Sequence, residues 1–311
     1  MNSYRKIVYL LLLSAMLVSP VATTYANEPL KVVASFSILG DIVKQVGGDA
    51  VSVSVLVGLE SDAHVYRATP ADARKVQQAQ VLVVNGLGFE GWLSRLEQSS
   101  GFVGVKVVAT DNAQLMSGHS EDHEGHGDSD HAHDDNEMYD PHAWHSIANV
   151  IVYTRNIMRG LVEASPEQQE YFLARAEDYI QKLELLHKEL KDSVATIPVA
   201  QRMVITSHDA FSYLGRDYGF TFYSPQGIST ESEPSAKDVA LLIRQIRDQK
   251  VKAVFVENVT DARLIRQIAS ETEATVGGTL YSGALSTQDG PAASYIDLMR
   301  HNVTTLVAAL K

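Results

Sequence analysis

Apolar and polar positions along the chain switch repeatedly between a period of two and a period near 3.6, and the switches mark out its elements. Leu30–Ile38 is a nearly unbroken apolar run and predicts a strand, and Asp41–Val46 follows with helical spacing. Val51–Val57 alternates Val with Ser, the pattern of a strand with two unlike faces. Thr69-Pro70 opens a helix to about Gln78, with Thr at the N-cap and Pro at the first helical position. Val81–Val84 is apolar throughout, as expected of a parallel strand covered on both faces. A helix near Phe89–Gln98 and a strand over Val103–Val108 complete a β-α-β-α rhythm, which predicts a mostly parallel sheet flanked by helices.

Gly118–Asp140 breaks the rhythm with His, Asp, Glu, Gly and Ser and almost nothing apolar, so it cannot contribute a core and reads as a mobile loop. A helix over Ile147–Val162 follows. Ser165-Pro166-Glu167-Gln168 reads as a helix start, and the pattern stays helical to about Val194. That is about 29 residues, or about 43 Å at the helical rise, long enough to run the length of the molecule. After Pro198 the alternation resumes. Strands are expected at Val204–Ser207, Phe220–Tyr223, Ala253–Glu257 and Thr275–Thr279, and helices at Ala210–Tyr218, Ser235–Gln249, Asp261–Thr272 and Ala293–Leu310. The fold class is therefore α/β, two lobes each with a mostly parallel sheet, joined by one long rigid helix. The expected division is 27–164 for the N-terminal lobe, 165–195 for the linking helix and 196–311 for the C-terminal lobe.

The first 26 residues stand apart. Arg5 and Lys6 precede the apolar stretch Ile7–Val18, and Thr24-Tyr25-Ala26 makes an acceptable cleavage site, so residues 1–26 read as a secretory signal peptide. The apolar stretch is well short of the roughly 20 residues that span a bilayer. The chain has no Cys, which excludes a disulfide framework, a thiolate metal site and a lipid anchor on a cysteine. A secreted, unlipidated, cysteine-free chain points to the periplasm.

Of 311 residues, 26 are Lys or Arg and 38 are Asp or Glu, for a formal charge of −12. That balance argues against a nucleic-acid binder. The 11 His are unevenly spread, with His119, His123, His126, His131 and His133 crowded into the acidic loop. The loop carries nine acids and no Lys or Arg, a field that gathers cations. It reads as a low-affinity metal collector or as a solvated low-complexity insertion.

Three histidines outside the loop sit where α/β proteins bind ligands, beyond strand ends and at helix starts: His64 after the second strand, His142 in YDPHAWHS and His208 after Val204–Ser207. Taken singly, each reads more readily as a structural histidine. His145, three residues after His142, reads as a surface or capping residue or as a spare ligand on the same helical face. Asp140, Asp209 and Glu257 are candidates for carboxylates that orient the imidazoles.

The strings VVASFSILGDIVKQVGGD, VLVVNGLGFEGWL, YDPHAWHS, SHDAFSYLGRDYGF, VFVENVTDARLIRQIA and DGPAASYIDLMRHNV together resemble the zinc- and manganese-binding periplasmic solute-binding proteins of ABC transporters (the cluster A-I, or cluster 9, family), over essentially the whole mature chain. The resemblance implies a metal held between the lobes by His64, His142 and His208, limited lobe movement, and no catalysis. It implies capture of Zn²⁺ as cargo and delivery, by a monomer, to an inner-membrane permease and ATPase, with a periplasmic zinc chaperone as a further partner and no nucleic acid. Manganese-type members carry a carboxylate where this chain has His208, and three imidazoles favour the borderline-soft Zn²⁺. The chain departs from the family at LYSGALS, where Gly283 stands in place of a common Asp. Asp289 is then a candidate substitute ligand, with water or a loop group as the alternative, and Glu257 is expected near the site as a hydrogen-bonding partner. The rival readings are a zinc buffer or chaperone without a permease, a Mn²⁺-binding protein, and a His₃ zinc hydrolase. The hydrolase lacks an H-E-x-x-H motif.

Overall fold

The computed structural model describes residues 28–118 and 139–311. The expected signal peptide and the histidines of the acidic loop lie outside the described residues. Two four-stranded parallel sheets form the two lobes. In the first, β1 (Leu30–Phe36), β2 (Val51–Val57), β3 (Val81–Val84) and β4 (Val105–Val108) take the order β2-β1-β3-β4; in the second, β5 (Met203–Ile205), β6 (Thr221–Tyr223), β7 (Ala253–Glu257) and β8 (Thr275–Leu280) take the order β6-β5-β7-β8. Both orders reverse direction once, between β1 and β3 and between β5 and β7. Beyond the carboxyl ends of the strands at such a reversal the flanking loops part and leave a crevice.

The helices are α1 (Ser37–Gly47), α2 (Pro70–Gln78), α3 (Leu93–Ser100), α4 (Ile147–Ala164), α5 (Gln169–Val194), α6 (Ser212–Tyr218), α7 (Ala236–Gln249), α8 (Ala262–Ser270) and α9 (Tyr295–Leu310). One continuous core fills the centre of the molecule and runs from Leu30 to Leu310 through both lobes. Two smaller clusters lie on the outer faces, one with Val76, Leu93 and Leu96 from α2 and α3, the other with Leu242, Ile246, Ile265 and Ile268 from α7 and α8. No described helix is long and apolar enough to cross a membrane.

Helix α5 packs on α1 and α4 of the first lobe and on α6 and α9 of the second. Its 26 residues give a rod of about 39 Å. Phe172, Ala176, Tyr179, Leu183, Leu186 and Leu190 repeat at three- and four-residue steps and form its buried stripe. The helix starts later than expected. Pro166–Gln168 is a separate 3-10 turn, and Ser165 does not cap α5; its hydroxyl donates to Glu167 instead. Other shifts have local causes. Strand β1 yields to α1 at Phe36 instead of running to Ile38. Helix α3 begins four residues later than expected, because Asn85–Glu90 is a tight loop. Buried Glu90 accepts the backbone N–H groups of Asn85 and Gly86 and the Ser35 hydroxyl, and Gly86 there takes a left-handed conformation (φ 91°) that a side chain would strain.

A polar seam ties the lobes together inside the core. Trp144 Nε1 donates to Ser282 O, Tyr295 Oη donates to Trp144 O, and Tyr213 Oη donates to Asp140 O. Asp41 accepts the Tyr295 N–H at 2.9 Å, Ser37 Oγ accepts the Leu285 N–H, and Leu285 O accepts the Glu60 N–H. Burial raises the Asp41 pKa, and the donated Tyr295 N–H is the main opposing influence.

Because α5 and the central core belong to both lobes, unfolding is expected as one cooperative transition. Leu183→Ala, at a fully buried position on α5, should cost about 2–5 kcal/mol while leaving a single transition in urea melts followed by both circular dichroism and tryptophan fluorescence.

Candidate metal centre

His64, His142 and His208 converge in the crevice between the two sheets, each from a chain segment just past a strand or just ahead of a helix. One ring nitrogen of each lies within 4.8 Å of those of the other two, and among the described residues they are the one group of His, Asp or Glu so placed. Ring centroids are 5.2 Å apart for His64 and His142, 5.3 Å for His142 and His208, and 6.0 Å for His64 and His208. The Nε2 atoms of His64 and His142 are 3.1 Å apart. His142 and His208 are each 1% exposed, whereas His64 is half-buried.

Each histidine is fixed by a carboxylate. Asp140 Oδ1 accepts both the backbone N–H and the Nδ1 of His142, at 2.9 and 2.8 Å. Glu257, at the end of β7, accepts the Ser207 and His208 N–H groups with Oε1 and pairs with His208 Nδ1 through Oε2 at 2.6 Å. These contacts end β5 at Ile205, two residues before the expected Ser207, because the chain turns there to meet Glu257. With Nδ1 held by a carboxylate in both rings, the Nε2 lone pairs are left for the crevice. His64 has its backbone held instead. Asp62 Oδ1 accepts the His64 N–H at 2.9 Å, and Asp62 Oδ2 accepts the Thr230 hydroxyl of the other lobe at 2.6 Å. Apolar rings close the back of the site: Phe89 meets His64 edge-on at 4.8 Å, and Trp144 meets His142 at 5.2 Å.

Burial and mutual repulsion oppose protonation. Burial, then the charges of His142 and His208, lower the His64 pKa to about 3. Burial also lowers His142 well below its ordinary value, with His208 adding to the effect. Burial would lower His208 too, but Glu257 outweighs it and the net shift is upward. Burial pushes Glu257 up, and His208 with the donated N–H groups reverses this and holds it below the usual carboxylate range.

The remaining candidates fall elsewhere. Asp289 is exposed in a turn ahead of α9 and does not join the three histidines; the chain between Ser286 and Ala292 closes on itself through backbone bonds that keep it at the surface. Asp209 accepts the Ser212 hydroxyl at the start of α6. His145 is neither a surface residue nor a spare ligand. It is fully buried against Phe211, with Nε2 2.9 Å from Ser282 O, and its pKa is lowered to about 3 mainly by burial. At Gly283 a Cβ would meet nothing within 4 Å, so the position has room for a side chain. Asp62 was missed, although its signal was present: Asp62-Ala63-His64 and Asp140-Pro141-His142 are the same D-x-H pattern, and both aspartates bond the N–H of the histidine two residues on.

In the unfolded chain these imidazoles protonate near pH 6.5. In the fold, His64, His142 and His145 stay neutral to far lower pH. From pH 6.5 down to about 3 the unfolded chain therefore binds more of these protons, and stability falls as pH is lowered. His208 does not offset this loss. Its contribution is complete below pH 6.5 and disappears only as pH rises through its raised folded pKa. The urea midpoint of the metal-free protein should drop between pH 7 and pH 5. His145→Gln should make that slope shallower by up to about 1.4 kcal/mol per pH unit, the weight of one proton.

A protein-family model described as "ZnuA: Zinc-uptake complex component A periplasmic" matches residues 32–309. The chain is 32% identical to the manganese-binding lipoprotein MntA of Halalkalibacterium halodurans over 93% of this chain and 91% of that protein. It is 33% identical to the iron-binding protein YfeA of Yersinia pestis, over 89% and 85%. Its structure superposes on the periplasmic zinc binding protein TroA from Treponema pallidum with a TM-score of 0.81 at 26% identity, covering 91% of this chain and 99% of that one. Two parallel-sheet lobes with three converging imidazoles between them, and a family match spanning nearly every described residue, lead to one assignment: the chain belongs to the family of periplasmic metal-binding components of ABC transporters.

Proposed function

We propose that this protein captures Zn²⁺ outside the cytoplasm through His64, His142 and His208 and hands it to the permease and ATPase of an ABC importer. The observation that carries the reading is the donor set. All three converging groups are imidazoles, and the two nearest carboxylates, Asp140 and Glu257, are engaged on Nδ1 atoms and backbone N–H groups. Nitrogen donors suit zinc, and Mn²⁺ is better served by carboxylate oxygen. Zinc bonds to imidazole at about 2.0–2.1 Å in a tetrahedron. That geometry separates neighbouring nitrogens by a little over 3 Å, comparable to the 3.1 Å between His64 and His142. The fourth position falls to water or another exogenous donor, since Gly283 offers no side chain there.

Capture on this reading needs no bond chemistry in the protein. The ion replaces the weak imidazole–imidazole contact and any proton held there, so binding is favoured at neutral pH and lost on acidification. A manganese reading is also supported, by manganese-binding relatives such as MntA. The donor set favours zinc over it.

Competition titration of the mature protein with Zn²⁺ and Mn²⁺ decides between them. Zinc should bind with a stoichiometry of one in the crevice and at least about a hundredfold tighter than manganese. Equal competition by Mn²⁺ would overturn the zinc assignment. His208→Ala should abolish tight zinc binding, and retained affinity would remove His208 from the site. Gly283→Asp should narrow the gap by strengthening Mn²⁺ binding about tenfold or more, since it adds an oxygen donor where a side chain has room.

A further inference from the structure

Between α2, α3 and the segment that leads from His64 into α2 lies a surface cavity of about 710 Å³, lined by Arg67, Arg74 and Arg95 around Tyr66, Trp92 and Leu96. Among the described residues no Asp or Glu lines it, although the chain as a whole carries a charge of −12. All three arginines are exposed, and none forms an ion pair or a side-chain hydrogen bond with another described residue. Asp72, the one carboxylate of α2, lies behind the cavity wall with its oxygens taken by Thr69, Tyr66 and Lys75. Three guanidiniums without a protein partner, kept together on an acidic protein, offer a site to an external anion.

The occupant is an extended surface. A small oxyanion would need buried or backbone donors. Of the first-turn N–H groups of α2, at the rim of the cavity, those of Asp72 and Ala73 are already taken by Thr69, and among the described residues no buried cation lines the space. Arginine mixed with Trp and Tyr is instead a composition enriched at protein–protein contacts. The cavity is also attached to the metal centre. Trp92, on its wall, donates Nε1–H to Ala63 O at 2.9 Å, one residue before His64, and Tyr66 and Arg67 follow His64 by two and three residues. This wall is therefore bonded to the backbone that presents His64, the least buried of the three imidazoles.

We propose that the Arg67/Arg74/Arg95 cavity docks an acidic face of the membrane partner that receives the ion, with the Trp92–Ala63 hydrogen bond transmitting docking to His64. The proposal rests on the transport reading above.

The test is uptake of radioactive zinc by spheroplasts of the native host that lack their own copy of this protein, supplied with the purified mature chain. The triple variant Arg67→Glu/Arg74→Glu/Arg95→Glu should lower uptake at least about tenfold. The triple Lys variant should stay within about threefold of wild type, because charge steers such encounters. Zinc affinity and thermal midpoint should be unchanged in both. Wild-type uptake should weaken as salt is raised from about 50 to about 300 mM, which shortens the Debye length from about 14 to about 6 Å, and the Glu variant should lose that dependence. Uptake by the Glu variant equal to wild type would overturn the proposal. So would tight inorganic phosphate binding by wild type alone in calorimetry, or wild-type self-association lost in the Glu variant on sedimentation. If wild type itself supports no uptake, the transport reading fails, an outcome distinct from all of these.

Discussion

Three imidazoles cannot all occupy a space 4.8 Å across as cations, and much of the structure follows from keeping His64 and His142 neutral and all three rings aimed inward. Burial removes the solvent that would stabilise their charge, and each ring raises the cost of protonating the next. Neutrality alone leaves the rings free to turn. Asp140 and Glu257 fix two of them by taking Nδ1. A buried carboxylate needs donors of its own, and here these are the backbone N–H groups of Ser207, His208 and His142. The result is a closed circuit in which each ligand's main chain satisfies the group that orients its side chain.

That circuit holds only if the strand ends stay in place. The parallel sheets deliver β2, β5 and β7 to one crevice, and the seam through Trp144, Tyr295, Ser282 and Asp41 keeps the two halves of the crevice in register. Helix α5 backs both lobes and shares their core. His142 and His208 are therefore built into the fixed part of the molecule. His64 is different: it sits on the connection between β2 and α2, held by Asp62, which also reaches Thr230 of the second lobe. Of the three rings it is the one nearest to solvent.

Much of this was legible because it is local. Strands β2, β3 and β7 fall where the alternation or the apolar run places them. The capping box at Thr69 and Asp72 begins α2 at Pro70, as the Thr-Pro pair implies. The candidate histidines share a position class, beyond a strand end or at a helix start, and the structure brings all three together. Where the reading missed, the cause was a contact with a distant residue. Helix α3 starts late because Glu90 captures a loop, and Ser165 looks like an N-cap but bonds Glu167.

By itself the sequence determined the periods, hence the elements, the α/β class and a family resemblance over nearly the whole chain, because these depend on residues close together along the backbone. It also contained the two D-x-H turns, since an aspartate reaches an N–H only two residues away. Only the tertiary structure decided which carboxylate serves which histidine, that His145 belongs to the seam between lobes, and that Asp289 stays outside the site. Those outcomes depend on pairs such as His208 with Glu257 and His145 with Ser282, which are far apart in sequence. A buried polar group takes whichever partner the packed sheets bring within reach, and one-dimensional spacing carries no record of that choice.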